Sequence, residues 1–199
     1  MSISRTHFLV TAAATVLLAA GCSDDSTATH TTEHSATTTT SAAASTDFND
    51  ADVSFLQMMY PHHAQAVEMA KMVPSHTQNE QLIALAAQVE QAQAPEMQQI
   101  TDLLASFGKP APSATEGHGG HDMPGMMTDA QMSSLQAANG ADFDRQWLEM
   151  MIAHHEGAVG MAQTELNGGV NPPSRQLATK IIADQEAEIA TMRGMLAQN

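Results

Sequence analysis

The residues best able to do chemistry in this chain are methionines and histidines that occur in two matching blocks. The first block reads Phe-Leu-Gln-Met-Met-Tyr-Pro-His-His over residues 55–63, and the second reads Trp-Leu-Glu-Met-Met-Ile-Ala-His-His over residues 147–155. Matched positions are 92 residues apart without a gap, which indicates an internal duplication. Because thioether sulfur and imidazole nitrogen are ligands suited to copper, the blocks predict a copper site, Cu(I) or Cu(II), with zinc as an alternative.

Helical spacing would place these sulfur and nitrogen atoms on one surface. At about 3.6 residues per turn, a methionine shares a face with the histidine four positions later, as in Met58 and His62. Adjacent histidines point about 100° apart, so we expect His62 and His154 to point into the protein and His63 and His155 to lie nearer its surface. The candidate metal ligands are His62, His63, His154, His155, Met58, Met59, Met150 and Met151.

A packing role for the same histidines stays open as the alternative. In that interpretation each histidine donates to a carbonyl or to a glutamate of a neighbouring helix. Glu96 and Glu188 are also 92 residues apart and are placed to accept such a hydrogen bond, which would equally orient a metal-binding histidine. The recurrence of the whole block, where the sequence between has diverged, favours metal binding.

The chain contains five predicted helical segments, and the two blocks lie within two of them. No segment shows the alternation typical of a strand. Start and stop signals predict helices from 49 or 50 to about 73, from the capping-box pattern Thr77–Glu80 to about 106, from 129 to 138, from 142 to 166, and from 172 to 197. Two hairpins of similar length predict an all-α four-helix bundle over 47–198, with repeat one at 47–107, a linker at 108–127 and repeat two at 128–198.

The linker between the repeats contains a second, weaker set of metal-binding side chains. It is rich in Gly and Pro and contains His118, His121, Met123, Met126 and Met127. A flexible segment of this kind could capture or hand over an ion, although ordering it would cost affinity. A solubilising loop is the alternative interpretation.

The N-terminal residues predict export and lipid anchoring. Residues 1–21 have a basic start, an apolar run and small residues before Cys22, as in a signal peptide followed by a lipidated cysteine. Residues 22–46 are rich in Ser, Thr and Ala and predict a disordered tether. We therefore expect an extracytoplasmic protein held at the cell membrane by a lipid on Cys22, which is the only cysteine and so excludes disulfides and thiolate metal sites.

Charge and motif content exclude several functions. The net charge of −15 argues against nucleic acid and anionic membrane surfaces and favours cations as partners, with a homo-oligomer left open. The Glu-x-x-His pattern of di-iron sites is absent, as are phosphate-binding loops and nucleophile elbows, so we do not expect an enzyme. A metal-free envelope interaction module and, more remotely, a metal-dependent oxidase are the rival functions.

The doubled block resembles the bacterial family known as domain of unknown function 305. Each copy closes on a matching segment, Ala-Val-Glu-Met-Ala at 66–70 and Ala-Val-Gly-Met-Ala at 158–162, and the likeness covers about residues 47–198. The resemblance implies a ferritin-like fold and, because the family includes a periplasmic copper-binding member, a copper buffer or carrier in metal tolerance. By match it implies these ligands: Met58, Met59, His62, His63, Met69, Met150, Met151, His154, His155 and Met161.

Overall fold

The computed structural model describes residues 47–110, 113 and 123–198, and this part of the chain contains five helices and no β-strand. The helices are α1 Asp50–His76, α2 Glu80–Ser106, α3 Asp129–Ala137, α4 Gly140–Gly168 and α5 Pro172–Leu196. Helix α1 packs on α2 and α4 packs on α5, and the two hairpins meet mainly through α1 and α4. The predicted all-α, ferritin-like four-helix bundle of two duplicated hairpins is confirmed, with α3 as a short addition before the second hairpin.

Most helix starts follow from asparagine caps. Asn49 accepts from the amides of Ala51 and Asp52, and the Asp52 carboxylate accepts from the Asn49 amide in return, which forms a capping box. Asn171 caps α5 in the predicted place, with proline in the first turn. The predicted capping box at Thr77 is wrong, because Asn79 caps α2 and the Thr77 hydroxyl accepts only from the Asn79 amide.

Helix α1 continues three residues beyond its predicted end at residue 73. Pro74 removes one backbone donor but does not stop the helix, which ends at His76. Nδ1 of His76 lies 2.8 Å from the Met72 carbonyl oxygen, and Nε2 lies 3.1 Å from the Gln136 carbonyl oxygen. These contacts fix the last turn of α1 against α3, which a local sequence pattern does not reveal.

The bundle interior contains two apolar clusters. The first cluster takes residues from 66–73 of α1, 82–89 of α2, 143–151 of α4 and 189–195 of α5. The second takes residues from 53–59, 100–104, 158–162 and 177–181 of the same helices. Within the described residues, no helix has the length and apolar character needed to cross a membrane.

Candidate metal centre

A layer of buried polar side chains lies between the two apolar clusters. Each of the four long helices contributes to it from the stretch that separates its two apolar segments. The layer consists of His62, His63, Gln93, Glu96, His154, His155 and Gln185, each at most 4% exposed. Since burying polar groups costs free energy unless they are paired, a layer of this size in a small bundle calls for a specific reason.

The two inward histidines lie against each other at the centre of the layer. The ring centroids of His62 and His154 are 3.7 Å apart and the rings are tilted by 40°. Both side chains are fully buried, so the prediction that these two point inward agrees with the geometry. Burial, followed by the neighbouring His63, lowers the pKa of His62 to about 3. Burial also holds the pKa of His154 well below its usual value, followed by the effect of His62. Both rings are therefore neutral at pH 7, the form that binds metal.

The other two histidines are not near the surface, so that expectation is wrong. His63 and His155 are fully buried, because the neighbouring helix of each hairpin covers them and supplies an acceptor. Nε2 of His63 donates to Glu96 at 2.8 Å, and Nε2 of His155 donates to Glu188 at 2.7 Å. The two glutamates thus hold the histidines as their matched spacing predicts.

The two histidine–glutamate pairs differ in their surroundings. Lys180 donates to Glu96 at 2.8 Å, and the hydrogen bonds from His63 and Lys180 outweigh burial and lower the pKa of Glu96. Glu188 has no lysine among its described ion-pair partners. The duplicated halves are therefore no longer equivalent electrostatically.

Many nitrogen and oxygen atoms of the layer have no hydrogen-bond partner. Nδ1 of His62, His63 and His155, both ring nitrogens of His154, and the side-chain amides of Gln93 and Gln185 are buried and unpaired. Nε2 of His62 donates to the Pro124 carbonyl at 3.0 Å, so the lone pair of that ring is on Nδ1. A neutral imidazole with one nitrogen hydrogen-bonded and the other free is the arrangement in which histidine binds a metal ion.

The described histidines and carboxylates do not by themselves form a complete metal-binding site. In the described ranges, no three His, Cys, Asp or Glu side chains are grouped so that they could hold a metal ion. Two imidazoles lie together, and the other two are turned towards glutamates. Among the residues of the duplicated blocks, the methionines are the remaining candidate ligands, and thioethers favour Cu(I).

The candidate methionines are divided between the two apolar clusters that flank the layer. Met69, Met151 and, at its margin, Met150 belong to the first cluster, and Met59, Met161 and, at its margin, Met58 belong to the second. The structure therefore places candidate methionines in the apolar clusters on both sides of the polar layer. It also leaves packing as a sufficient role for those that are fully buried.

The last residues of the linker form part of the centre in a way that the sequence did not indicate. Residues 123–127, here called the strap, lie across α1 and α4, and the Pro124 carbonyl accepts the hydrogen bond from His62. Gln65 Nε2 donates to the Met127 carbonyl at 2.9 Å, and the Met127 amide donates to Gln65 Oε1 at 2.7 Å. Met127 is buried in the first apolar cluster, and Met123 and Met126 are half-buried.

Three predicted site residues lie outside the described residues. These are Cys22, His118 and His121, so the structure gives no position for the lipidation site or for the histidines of the linker. The predicted signal peptide over 1–21 and tether over 22–46 also lie outside them.

Comparison with known proteins places these features in a family. A family model described as "Domain of unknown function (DUF305)" matches residues 52–196. A candidate secreted DUF305 protein from Streptomyces coelicolor is 33% identical, with a TM-score of 0.68 over 74% of this chain and 93% of that one. CopM in its Cu(II)-bound form is 33% identical, with a TM-score of 0.65 over 74% of this chain and 96% of that one. CopM structures in Cu(I)-bound, Ag-bound and apo forms are also similar.

One further relative matches only part of the chain. An uncharacterised mimivirus protein, L153 of Acanthamoeba polyphaga mimivirus, is 42% identical over 53 residues, which are 27% of this chain and 35% of that protein.

Proposed function

We propose that this chain, which belongs to the DUF305 family, binds copper in the centre of its bundle and acts as a copper buffer or carrier outside the cytoplasm. One observation supports the proposal most strongly: two fully buried, neutral imidazoles, His62 and His154, lie in ring contact with nitrogen lone pairs unused. Each unpaired buried polar group destabilises the folded protein by about 1–3 kcal/mol. Two such imidazoles held side by side therefore imply a ligand whose binding offsets that loss of stability.

The ligands we propose are His62 and His154 together with thioethers from the adjacent turns. Met58 and Met150 lie one turn before these histidines on α1 and α4. His63, His155, Met59, Met69, Met151 and Met161 form the surrounding shell of candidate ligands, and His118, His121, Met123, Met126 and Met127 are the weaker set. A site of two imidazoles and thioethers suits Cu(I) better than Cu(II) or zinc.

The relatives support copper over other metals. CopM has been crystallised with Cu(II), Cu(I) and Ag, and it shares about a third of its sequence with this chain. Ag(I) is a soft monovalent ion like Cu(I), so the same chemistry would bind both.

A titration of the purified protein with Cu(I), Cu(II) and Zn(II) tests the proposal. We expect one tight Cu(I) site that the double substitution His62→Gln and His154→Gln weakens by more than about 100-fold, because losing ligands should exceed the 10–100-fold cost of losing an outer-shell partner. Isothermal calorimetry with a competing Cu(I) chelator measures the affinity.

The control is His76→Gln, which removes a described histidine outside the polar layer and should leave the Cu(I) affinity unchanged. Equal affinities in the double variant and the unmodified protein would place copper elsewhere and refute this site.

The location we propose follows from the N-terminal sequence. Residues 1–21 are a signal peptide, Cys22 carries the lipid, 22–46 is the tether and 47–198 is the copper-binding domain with repeats at 47–107 and 128–198 joined by 108–127. The description of the Streptomyces relative as a candidate secreted protein agrees with export. Labelling with a radioactive fatty acid in a bacterial host should mark the protein and not its Cys22→Ser variant; unlabelled protein would refute the anchor.

A further inference from the structure

The histidine pair is separated from solvent by the thickness of one residue. His62 has no exposed surface, and its Nε2 lies 3.0 Å from the carbonyl oxygen of Pro124. Pro124 is itself exposed. At this point the strap lies directly over the buried ring of His62.

The strap is fitted to its position on both sides. Gln65 on α1 forms two hydrogen bonds with the backbone of Met127, at 2.9 Å and 2.7 Å. On α4, a Cβ added at Gly157 would lie 2.0 Å from the Pro124 carbonyl oxygen, so only glycine leaves room for the strap there. Gly125 has a φ of +81° and lies against the backbone of Ala153 and His154, which again requires glycine.

The duplication shows that this fit is specific. Gln65 and Gly157 are 92 residues apart and so occupy the same position in the two repeats. In the first repeat this position holds a side chain that binds the strap, and in the second it holds no side chain, so that the strap can approach. The two copies of this position therefore differ in side chain, and each copy contacts the strap in its own way.

A groove leads from the surface to the strap. It has a volume of about 410 Å³, and Met58, Met161, Phe55, Glu165 and Pro124 are among its lining residues. Met58 is one turn from His62 and Met161 is two turns from His154 on the same helices. The groove is therefore lined by two methionines, of which Met58 is also a proposed copper ligand, and it adjoins Pro124.

We infer that the strap is a gate: closed, its Pro124 carbonyl caps His62, and when it lifts from Gln65 and Gly157, a soft monovalent cation passes from the Met58–Met161 groove to the histidine pair. The inference rests on the proposed copper function. Lifting the strap breaks its three described hydrogen bonds and withdraws Met127 from the first apolar cluster, but it does not require the four long helices to separate. A local opening of this kind occurs in proteins without global unfolding.

The substitution Gly157→Ala tests the gate in the full-length protein. The added methyl group cannot coexist with the closed strap, so the strap should be displaced while the helix keeps its fold. Gly194→Ala is the matched control, because it gives α5 the same gain in helix propensity at a place where a Cβ meets nothing within 4 Å. Gln65→Leu is a second way to release the strap, from α1.

Two measurements on the unmodified protein and these variants test whether the strap is a gate. Without metal, hydrogen exchange followed by mass spectrometry should be faster for peptides containing Met127 in Gly157→Ala and Gln65→Leu, but not in Gly194→Ala. With Ag(I) as a redox-inert probe, quenching of Trp147, the only tryptophan, reports binding. We expect the association rate to rise about tenfold in the two strap variants, in proportion to the fraction of open protein.

The outcomes separate the gate from the copper function. Faster exchange with an unchanged association rate, or unchanged exchange in both strap variants, would refute the gate. If the unmodified protein binds Ag(I) and all rates are equal, only the gate fails. If none of the proteins binds Ag(I) or Cu(I), the proposed function fails as well.

Discussion

At the scale of single residues, the polar interior of this protein is organised by what each side chain can donate or accept. Nε2 of His63 and Nε2 of His155 each donate to a glutamate, and Nε2 of His62 donates to the Pro124 carbonyl. Nδ1 of each of these three rings remains unpaired. His154 has no described partner on either nitrogen. A hydrogen bond at one nitrogen of a neutral imidazole sets the tautomer and leaves the other nitrogen for a ligand, which is the arrangement of His62.

Glu165 is a buried acid group that lines the groove and was not singled out by sequence reasoning. Burial, followed by the neighbouring Asp52 carboxylate, raises the pKa of Glu165 to about 8. Burial opposes ionisation of Asp52, but hydrogen bonds from the amides of Asn49, Asn171 and Val170, together with the Glu165 side chain, outweigh burial and lower its pKa. Glu165 is therefore protonated at pH 7 next to an ionised partner.

The contribution of Glu165 to the free energy of unfolding should fall as the pH rises. Between its unfolded pKa of about 4.5 and its folded pKa of about 8, the folded state holds a proton that the unfolded state has lost, so this contribution declines through the window and then levels off. In Glu165→Gln this decline should be absent. Urea denaturation at pH 5, 7 and 9 measures the difference.

The control for this prediction is Glu149→Gln, because Glu149 is exposed on the same helix. It should show the same pH profile as the unmodified protein. A Glu165→Gln profile parallel to that of the unmodified protein would contradict a raised pKa.

At the scale of the helices, one polar layer interrupts an otherwise apolar bundle. Every long helix has two apolar stretches and a polar stretch between them, and the four polar stretches meet at one level. Helices α1 and α4 contribute the histidines, α2 contributes Gln93 and Glu96, and α5 contributes Gln185. The layer is therefore a property of all four helices, and it is placed where an ion bound to α1 and α4 would meet oriented polar groups.

The buried glutamines of α2 and α5 should cost stability. Gln93 and Gln185 are each 2% exposed, and neither side-chain amide has a partner. Replacing either by Leu should raise the free energy of unfolding of the metal-free protein by about 1 kcal/mol or more, because an unpaired buried amide is removed. Chemical denaturation of the two single variants measures this.

The control for this prediction is Gln88→Leu, at an exposed position of α2. It should change the free energy of unfolding by less than about 0.5 kcal/mol, as surface substitutions do. A loss of stability in Gln93→Leu and Gln185→Leu would mean that the two amides are paired in the folded protein and contribute to its structure.

At the scale of the whole molecule, binding at the bundle centre should couple metal affinity to folding. Because the proposed ligands come from α1 and α4, which belong to different hairpins, an ion bound there joins the two halves of the duplication. Trp147 adds a second link, since its indole nitrogen donates to the Met69 carbonyl of α1 at 2.9 Å.

Copper should therefore raise the melting temperature. At free Cu(I) about 100 times the dissociation constant, binding to the folded state alone adds about 2.7 kcal/mol, which corresponds to about 5–10 °C for a domain of this size. Scanning calorimetry under anaerobic conditions measures the shift. It should vanish in the His62→Gln and His154→Gln double variant, and an equal shift in that variant would assign the stabilising site to another part of the chain.

Much of this architecture follows from the sequence because helical order is local. The 92-residue repeat, the asparagine caps and the apolar periodicity indicate four long helices in two hairpins, and the matched spacing of Glu96 and Glu188 indicates their histidine partners. Two helix details were wrong, the end of α1 and the cap of α2, because contacts with α3 and competition among nearby polar residues decided them.

Sequence alone determined which residues share a helix face, since about 3.6 residues per turn fixes that without reference to the rest of the fold. Only the tertiary structure decided that His63 and His155 are buried, that the rings of His62 and His154 touch, and that Pro124 covers them. These facts depend on how neighbouring helices approach and on where a connecting segment crosses them. Contacts between residues far apart in the chain set both, and no local pattern encodes them.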